Sequence, residues 1–147
     1  MVEDSGLFIV TLSGFPGVYS AYVLETIGCK GILNIMKSHK NRNASFRASA
    51  CLWDGNKIHQ GSGICPGILA DSMRGTNGFG YDPIFMPFDI QEESTKETQF
   101  TTNGLTFGAV EVDIKETFSH RKKALDEVLF NFKNSMMQFA SRSKPQG

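Results

Sequence analysis

Cysteine, tryptophan and net charge are what this sequence has least of. Three cysteines, Cys29, Cys51 and Cys65, cannot all pair with one another, and no two stand at the close spacing of a zinc knuckle or a redox couple. A disulfide framework and a thiolate metal site are thereby excluded as the basis of the fold, a reducing compartment is indicated, and each thiol reads as a small buried side chain. Fifteen Lys and Arg balance fifteen Asp and Glu. No field remains to hold a polyanion, and no continuous basic face carries interleaved aromatics, so a nucleic-acid module and a membrane-surface module are both disfavoured. No apolar run has the length that spans a bilayer, and the opening Met1-Val2-Glu3-Asp4-Ser5-Gly6 has neither the basic nor the apolar region of a signal peptide. The expected location is cytoplasmic.

What is there suffices for one core. A chain of 147 residues with 40% hydrophobic and 20% charged content suits a single domain over residues 1–147. Leu7-Phe8-Ile9-Val10 reads as a buried strand entered after only a few residues. Gly14-Phe15-Pro16-Gly17 ends it in a sharp turn, Ser20 is placed to cap a helix from Ala21 to Ile27, and Gly28 to stop it. Ile32, Leu33, Ile35 and Met36 suggest a second short helix. From Ala44 the pattern becomes strict alternation, with Ala44, Phe46, Ala48, Ala50 and Leu52 on one face, and Asp54-Gly55-Asn56 turns that strand into a hairpin. Gly61, Gly63, Pro66 and Gly67 predict a bent or bulged second arm. Residues 89–103 are polar and read as a surface flap. In the last element Ser119 caps a helix whose stripe of Ala124, Leu125, Val128, Leu129, Phe132, Met136 and Phe139 is read as core, and residues 141–147 are expected to be a disordered tail.

Three polar clusters lack an evident folding reason. Glu3 and Asp4 are adjacent carboxylates ahead of the first buried strand; a hard cation between them and a phosphate would relieve their repulsion, and a solvated N-terminus or a helix cap is the bland alternative. The segment Arg74-Gly75-Thr76-Asn77-Gly78-Phe79-Gly80-Tyr81-Asp82-Pro83 alternates glycines with aromatics and an acid. There Phe79 or Tyr81 can stack on a base and Asp82 can accept hydrogen bonds from base or ribose, unless the loop is a turn whose aromatics merely close the core. The third cluster, Lys115 and Ser119-His120-Arg121-Lys122-Lys123, puts cations at the positive end of a helix dipole. A bound phosphate on the helix amides and Arg121 reverses that penalty, whereas Lys122 and Lys123 are read as pointing to solvent.

Taken together, Glu3-Asp4-Ser5-Gly6-Leu7, Gly14-Phe15-Pro16-Gly17-Val18-Tyr19-Ser20, Gly78-Phe79-Gly80-Tyr81-Asp82-Pro83-Ile84-Phe85 and Ser119-His120-Arg121 resemble, in order and spacing, the motifs of the Ham1/inosine triphosphate pyrophosphatase family. The resemblance runs from Glu3 to Phe132. It implies an α/β fold with a mixed twisted sheet flanked by helices. It implies hydrolysis of non-canonical purine nucleoside triphosphates such as ITP, dITP and XTP to monophosphate and pyrophosphate, which cleanses the nucleotide pool, with Mg2+ and a homodimer. By motif, Asp4 resembles the general base, Glu3 and Asp4 the magnesium ligands, and Ser5 a residue beside the phosphates. Phe79, Gly80, Tyr81 and Asp82 match the loop that holds the base; Lys115, His120 and Arg121 match residues that recognise a 6-oxo purine or the phosphates.

Two departures accompany the match. The family's first strand, its Thr/Ser-x-Asn-x-x-Lys phosphate loop, the following helix and strand and a metal-binding glutamate have no counterpart ahead of Glu3. A chain without them is expected to expose a strand edge and to bind nucleotide poorly, which makes a non-catalytic nucleotide-binding remnant or interaction subunit the alternative reading. The second departure is Tyr22, where many bacterial relatives carry arginine after Tyr-Ser-Ala.

Overall fold

The computed structural model describes residues 1–143; residues 144–147, the end of the expected tail, lie outside the described residues. Alternation in the sequence becomes a central hairpin of β2 (Asn43–Trp53) and β3 (Ile58–Leu69), paired without interruption from Asn43 opposite Ile68 to Trp53 opposite Ile58. Asp54 closes its turn: Oδ1 accepts the N–H groups of Asn56 (2.8 Å) and Lys57 (2.9 Å), and Oδ2 lies 2.6 Å from His59 Nε2. This hold pulls the Asp54 carboxyl down to about 2, the His59 contact being its largest cause. β1 (Val2–Ile9) flanks β2 and β4 (Phe85–Pro87) flanks the end of β3, in the order β1-β2-β3-β4 with each pairing antiparallel. The α/β architecture is completed by α1 (Ser20–Thr26), α2 (Gly28–Met36), α3 (Val112–Glu116) and α4 (His120–Arg142). The polar excursion after Asp89 is a small exposed hairpin, β5 (Ile90–Gln91) with β6 (Thr98–Phe100). Among the described residues no helix is long and apolar enough to cross a membrane.

Burial follows the two-residue period of the strands. Leu7 and Ile9 of β1, with Ala44, Phe46, Ala48 and Ala50 of β2, face the helices, while Asp4, Arg47 and Ser49 turn to the exposed side. The main core gathers Leu7, Ile9, Ile32, Met36, Phe46, Phe85, Phe107 and Phe118. Its aromatic rings touch in series, with centroids 4.4 Å apart for Phe46 and Phe85 and 5.5 Å apart for Phe85 and Phe107.

The glycines of β3 do not bulge the strand. A Cβ on Gly61 would overlap the carbonyl oxygen of Ala124 and stand 2.7 Å from the amide nitrogen of Val128; one on Gly63 would overlap the carbonyl oxygen of His120. They are bare so that the α4 backbone can lie directly on the strand, over a second small core of Ala48, Ala50, Ala124 and Val128. The same helix closes the β3 edge that β4 leaves open. Lys123 Nζ donates to the Ile64 carbonyl (2.9 Å), the Ser62 N–H donates to Glu127 Oε2 (2.5 Å), and Asn131 Nδ2 donates to the Gln60 carbonyl (2.8 Å). Four helical residues rise about 6 Å and two strand residues span about 6.8 Å, so side chains at i, i+4 and i+8 answer every second residue of the edge as a neighbouring strand would.

Several readings of the sequence change here. Lys123 is bound to the sheet edge rather than directed to solvent. The α4 stripe is core at Ala124 and Val128 and half-buried at Leu125 and Phe132, whose ring meets His59 of β3 edge-on. Leu129 is on the exposed side, and past Phe132 the helix outruns the sheet, leaving Met136 52% and Phe139 71% exposed, with Ser141 and Arg142 still part of it. Gly28, in the left-handed region, separates α1 from α2 as expected, but Ser20 does not cap α1. Its hydroxyl accepts the Leu7 N–H instead (2.8 Å).

Substituting Gly63→Ala is expected to lower stability by about 1–3 kcal/mol, because the added methyl would meet the α4 backbone at His120 and Ala124 and the Cβ of Lys123, none of which is a flexible side-chain end. Ser62→Ala, one position along on the exposed face, should change it by less than about 0.5 kcal/mol in the same urea titration.

Candidate functional site

The glycine-rich segment folds around its own carboxylate. Gly78 has a positive φ, and a Cβ there would overlap Asp82 Oδ2, so only a bare residue lets the acid fold back under the loop. Asp82, 2% exposed, accepts the Phe79 N–H (2.9 Å) and Lys115 Nζ (2.5 Å) through Oδ2. Pro83 then starts a short 3-10 turn over Asp82–Ile84 that delivers Phe85 into β4. This leaves the Phe79 ring outside, 63% exposed, with Lys115 Nζ 4.3 Å and Arg121 Cζ 5.2 Å from its centroid. Cations at such distances are attracted to the negative face of the ring.

Opposite stands the start of α4. Ser119 caps it as expected, its hydroxyl accepting the Lys122 N–H (3.1 Å). The next residue, His120, stacks on Phe46 with centroids 5.2 Å apart and planes 14° from parallel. Burial, and then the neighbouring Arg121, Lys115 and Lys123 charges, push its pKa from the ordinary 6.5 down to about 4, so the ring is neutral at physiological pH. Arg121 reaches across to β1: its Nε lies 3.0 Å from Glu3 Oε1, and its Nε and Nη2 donate to Ser5 Oγ at 3.3 and 3.0 Å.

These elements enclose a cavity of about 360 Å³. Ser5, Phe79, Gly80, Tyr81, Asp82, Lys115, His120 and Arg121 all line it, so eight candidates drawn from four separated stretches of sequence converge on one space. Their parts in it differ. Tyr81 is 5% exposed and donates its hydroxyl to the Ser20 carbonyl (2.6 Å), so it braces the loop and has no face free for stacking. Burial raises that phenol to about 12. Asp82 holds Phe79 and Lys115 through Oδ2 alone, so it anchors the loop and the cation while still lining the cavity. The walls also include Leu7, Phe46 and Ser20, read from sequence as buried strand residues and a helix cap, and Leu24 and Phe107, which the sequence did not single out; nothing local marks a core residue as lining.

Glu3 and Asp4 are not brought together. Both belong to β1 itself, opposite Ala50 and Ser49, and successive strand residues point to opposite faces. Glu3 lies on the cavity side with Arg121, and Asp4 is on the exposed side. Among the described residues no three His, Cys, Asp or Glu side chains cluster to hold an ion. In the structure one carboxylate of the pair meets a guanidinium and the other lies on the opposite face of β1, whereas a magnesium ion bound together with substrate phosphates needs only one or two carboxylates.

The neutral His120 ties stability to pH. Its folded pKa lies below the ordinary value, so the unfolded chain binds more protons between the two, and the contribution is complete above about pH 6.5 and lost as pH falls toward 4. Urea midpoints should decline across that window in the wild type, and His120→Gln should flatten the decline; equal slopes in both proteins would place the titration elsewhere.

Comparison with known proteins bears on the whole arrangement. A family model described as the Ham1 family matches residues 1–130. A dITP/XTP pyrophosphatase of Pyrococcus horikoshii is 45% identical over 125 residues, covering 85% of this chain and 60% of the relative. One from Thermococcus kodakarensis is 42% identical over 126 residues, covering 86% and 61%. The chain thus spans about three fifths of the length of these relatives. Among solved structures, a HAM1 protein from Coxiella burnetii superimposes with a TM-score of 0.71 at 26% identity, covering 90% of this chain and 66% of that one. The Staphylococcus aureus Ham1 protein gives 0.67 at 26% identity, covering 97% and 66%. With the family model matching residues 1–130 and the fold superimposing on solved HAM1 proteins, the chain belongs to the Ham1 family.

Proposed function

We propose that the chain acts on non-canonical purine nucleoside triphosphates such as ITP, dITP and XTP, releasing pyrophosphate and leaving the monophosphate. The observation that carries this reading is the convergence of the eight candidate residues on one cavity with an aromatic lip and cations along one wall. Volumes of about 300–1,000 Å³ are typical of small-molecule sites. A purine slides beneath Phe79, whose exposed face offers stacking, toward the floor formed by Phe46 and Phe107.

Base selection follows from Lys115. An ammonium group only donates hydrogen bonds, so it donates to the 6-carbonyl of hypoxanthine or xanthine and is mismatched with the 6-amino group of adenine. Asp82 fixes its position, and the neutral His120 adds a group able to donate without further charge. The phosphates leave past Ser5 and Arg121, where a guanidinium fork and the N-terminal amides of α4 favour anions. The reaction is attack of water on the α-phosphorus with pyrophosphate departing. Asp4 is the proposed base by its place in the family motif, one residue before Ser5 on the outer strand β1. The names of the relatives, dITP/XTP pyrophosphatase, agree with this substrate class. A homodimer belongs to the same reading, in keeping with the apolar Phe130, Met137 and Phe139 left exposed on α4.

Pyrophosphate release from ITP, XTP and ATP, with magnesium and then with chelator, tests the proposal: release from ITP and XTP well above that from ATP is expected, and equal or absent release from folded protein overturns it. Phe79→Ala should raise KM for ITP about tenfold, the size of one lost base stack, while leaving inhibition by inorganic pyrophosphate unchanged. Arg121→Ala should weaken both.

A further inference from the structure

Ser20 is hydrogen-bonded to three separate segments, at Leu7, Gly17 and Tyr81. Its hydroxyl accepts the Leu7 N–H (2.8 Å) on the outer side of β1 and donates to the Gly17 carbonyl (2.6 Å) in the preceding turn. Its carbonyl accepts the Tyr81 hydroxyl (2.6 Å) behind the aromatic loop. The residue is 5% exposed and lines the cavity itself. Gly6, the neighbour of both Ser5 and Leu7, is bare at this point: a Cβ there would overlap the Gly17 carbonyl oxygen and stand 2.8 Å from Ser20 Oγ. The strand wall and the helix are thus as close as backbone allows, and a serine is what fills the contact.

The loop between Gly78 and Asp82 is consequently held on two sides. In front, Asp82 ties it to Lys115; behind, Tyr81 ties it to Ser20, and Cys29 Sγ donates to the Gly80 carbonyl at 3.5 Å. The Phe79 ring stands outside these ties, at the mouth. Removing the front tie moves a cation, whereas removing the rear tie moves the loop relative to β1, and with it the gap a flat ring must enter.

We infer that Ser20 and Tyr81 form a positioning pair that sets the separation between the β1 wall at Ser5–Leu7 and the aromatic loop at Phe79–Asp82, and so the thickness of ligand the cavity admits. Neither side chain needs to touch the ligand for this. The pair acts through the placement of Phe79, and the inference rests on the nucleotide reading only in its consequence for affinity.

Tyr81→Phe removes the donor and keeps the ring; Ser20→Ala removes the hydroxyl and keeps the carbonyl. Hydrogen–deuterium exchange of the 78–82 amides, measured on the full chain without ligand, should quicken about tenfold in Tyr81→Phe, the size of one buried hydrogen bond, with exchange in β2 and β3 unchanged. Ser20→Ala should quicken exchange at Leu7 as well. Where the wild type turns over ITP, Tyr81→Phe should raise KM about tenfold with kcat changed by less than about threefold, since the loop positions the base and not the phosphates. Unchanged exchange at 78–82 in both variants overturns the pair, and so does unchanged KM for ITP in a wild type that hydrolyses it. A wild type that neither binds nor hydrolyses ITP overturns the nucleotide reading instead, and the exchange result still decides whether the pair holds the loop.

Discussion

α4 can lie against the sheet only because the strands beneath it carry almost no side chains. Ala48, Ala50, Gly61 and Gly63 form a strip so low that helix carbonyls stand where Cβ atoms would otherwise be. Close backbone contact of this kind gains dispersion along its length but tolerates no added volume. From it follows the placement of His120 over Phe46 and of Arg121 beside Glu3 and Ser5, since both project from the first turn of the same helix. The ladder of Lys123, Glu127 and Asn131 along the β3 edge fixes the helix lengthwise, so contact and register are set together.

Charge in the cavity is arranged by prior pairing. Lys115 is held by the buried Asp82 and Arg121 by Glu3, yet each cation keeps donors and a face toward Phe79. Burying an unpaired charge is costly and burying a paired one costs less, so the pairs let two cations stand beside an aromatic wall without a ligand present. The third titratable group, His120, resolves the same conflict differently, by giving up its proton. Family membership and the likeness to solved HAM1 proteins agree with this architecture, although the chain corresponds to about three fifths of its relatives' length.

Much was legible in the residues alone: the β2 hairpin from alternation and its Asp54-Gly55-Asn56 turn, the Ser119 cap, the Gly28 break, and the candidates Ser5, Phe79, Lys115, His120 and Arg121 from motif spacing. These are local properties, in which a periodicity of two, a left-handed glycine or a capping hydroxyl acts within a few residues of itself. The sequence by itself determined the elements and the chemical types gathered at the site. Only the tertiary structure decided what each group does there, because that depends on which atom of a distant segment arrives beside it. Glycines that read as a bulge proved to be the bed of a helix far along the chain, as the overlap of Gly63 with His120 requires. Tyr81 became a brace when Ser20 met its hydroxyl, Asp82 became an anchor when Lys115 reached it, and the distal half of α4 stayed exposed because the sheet ends before the helix does. Adjacent Glu3 and Asp4 were parted by the pleat of β1, a consequence of strand pairing that their closeness in sequence conceals.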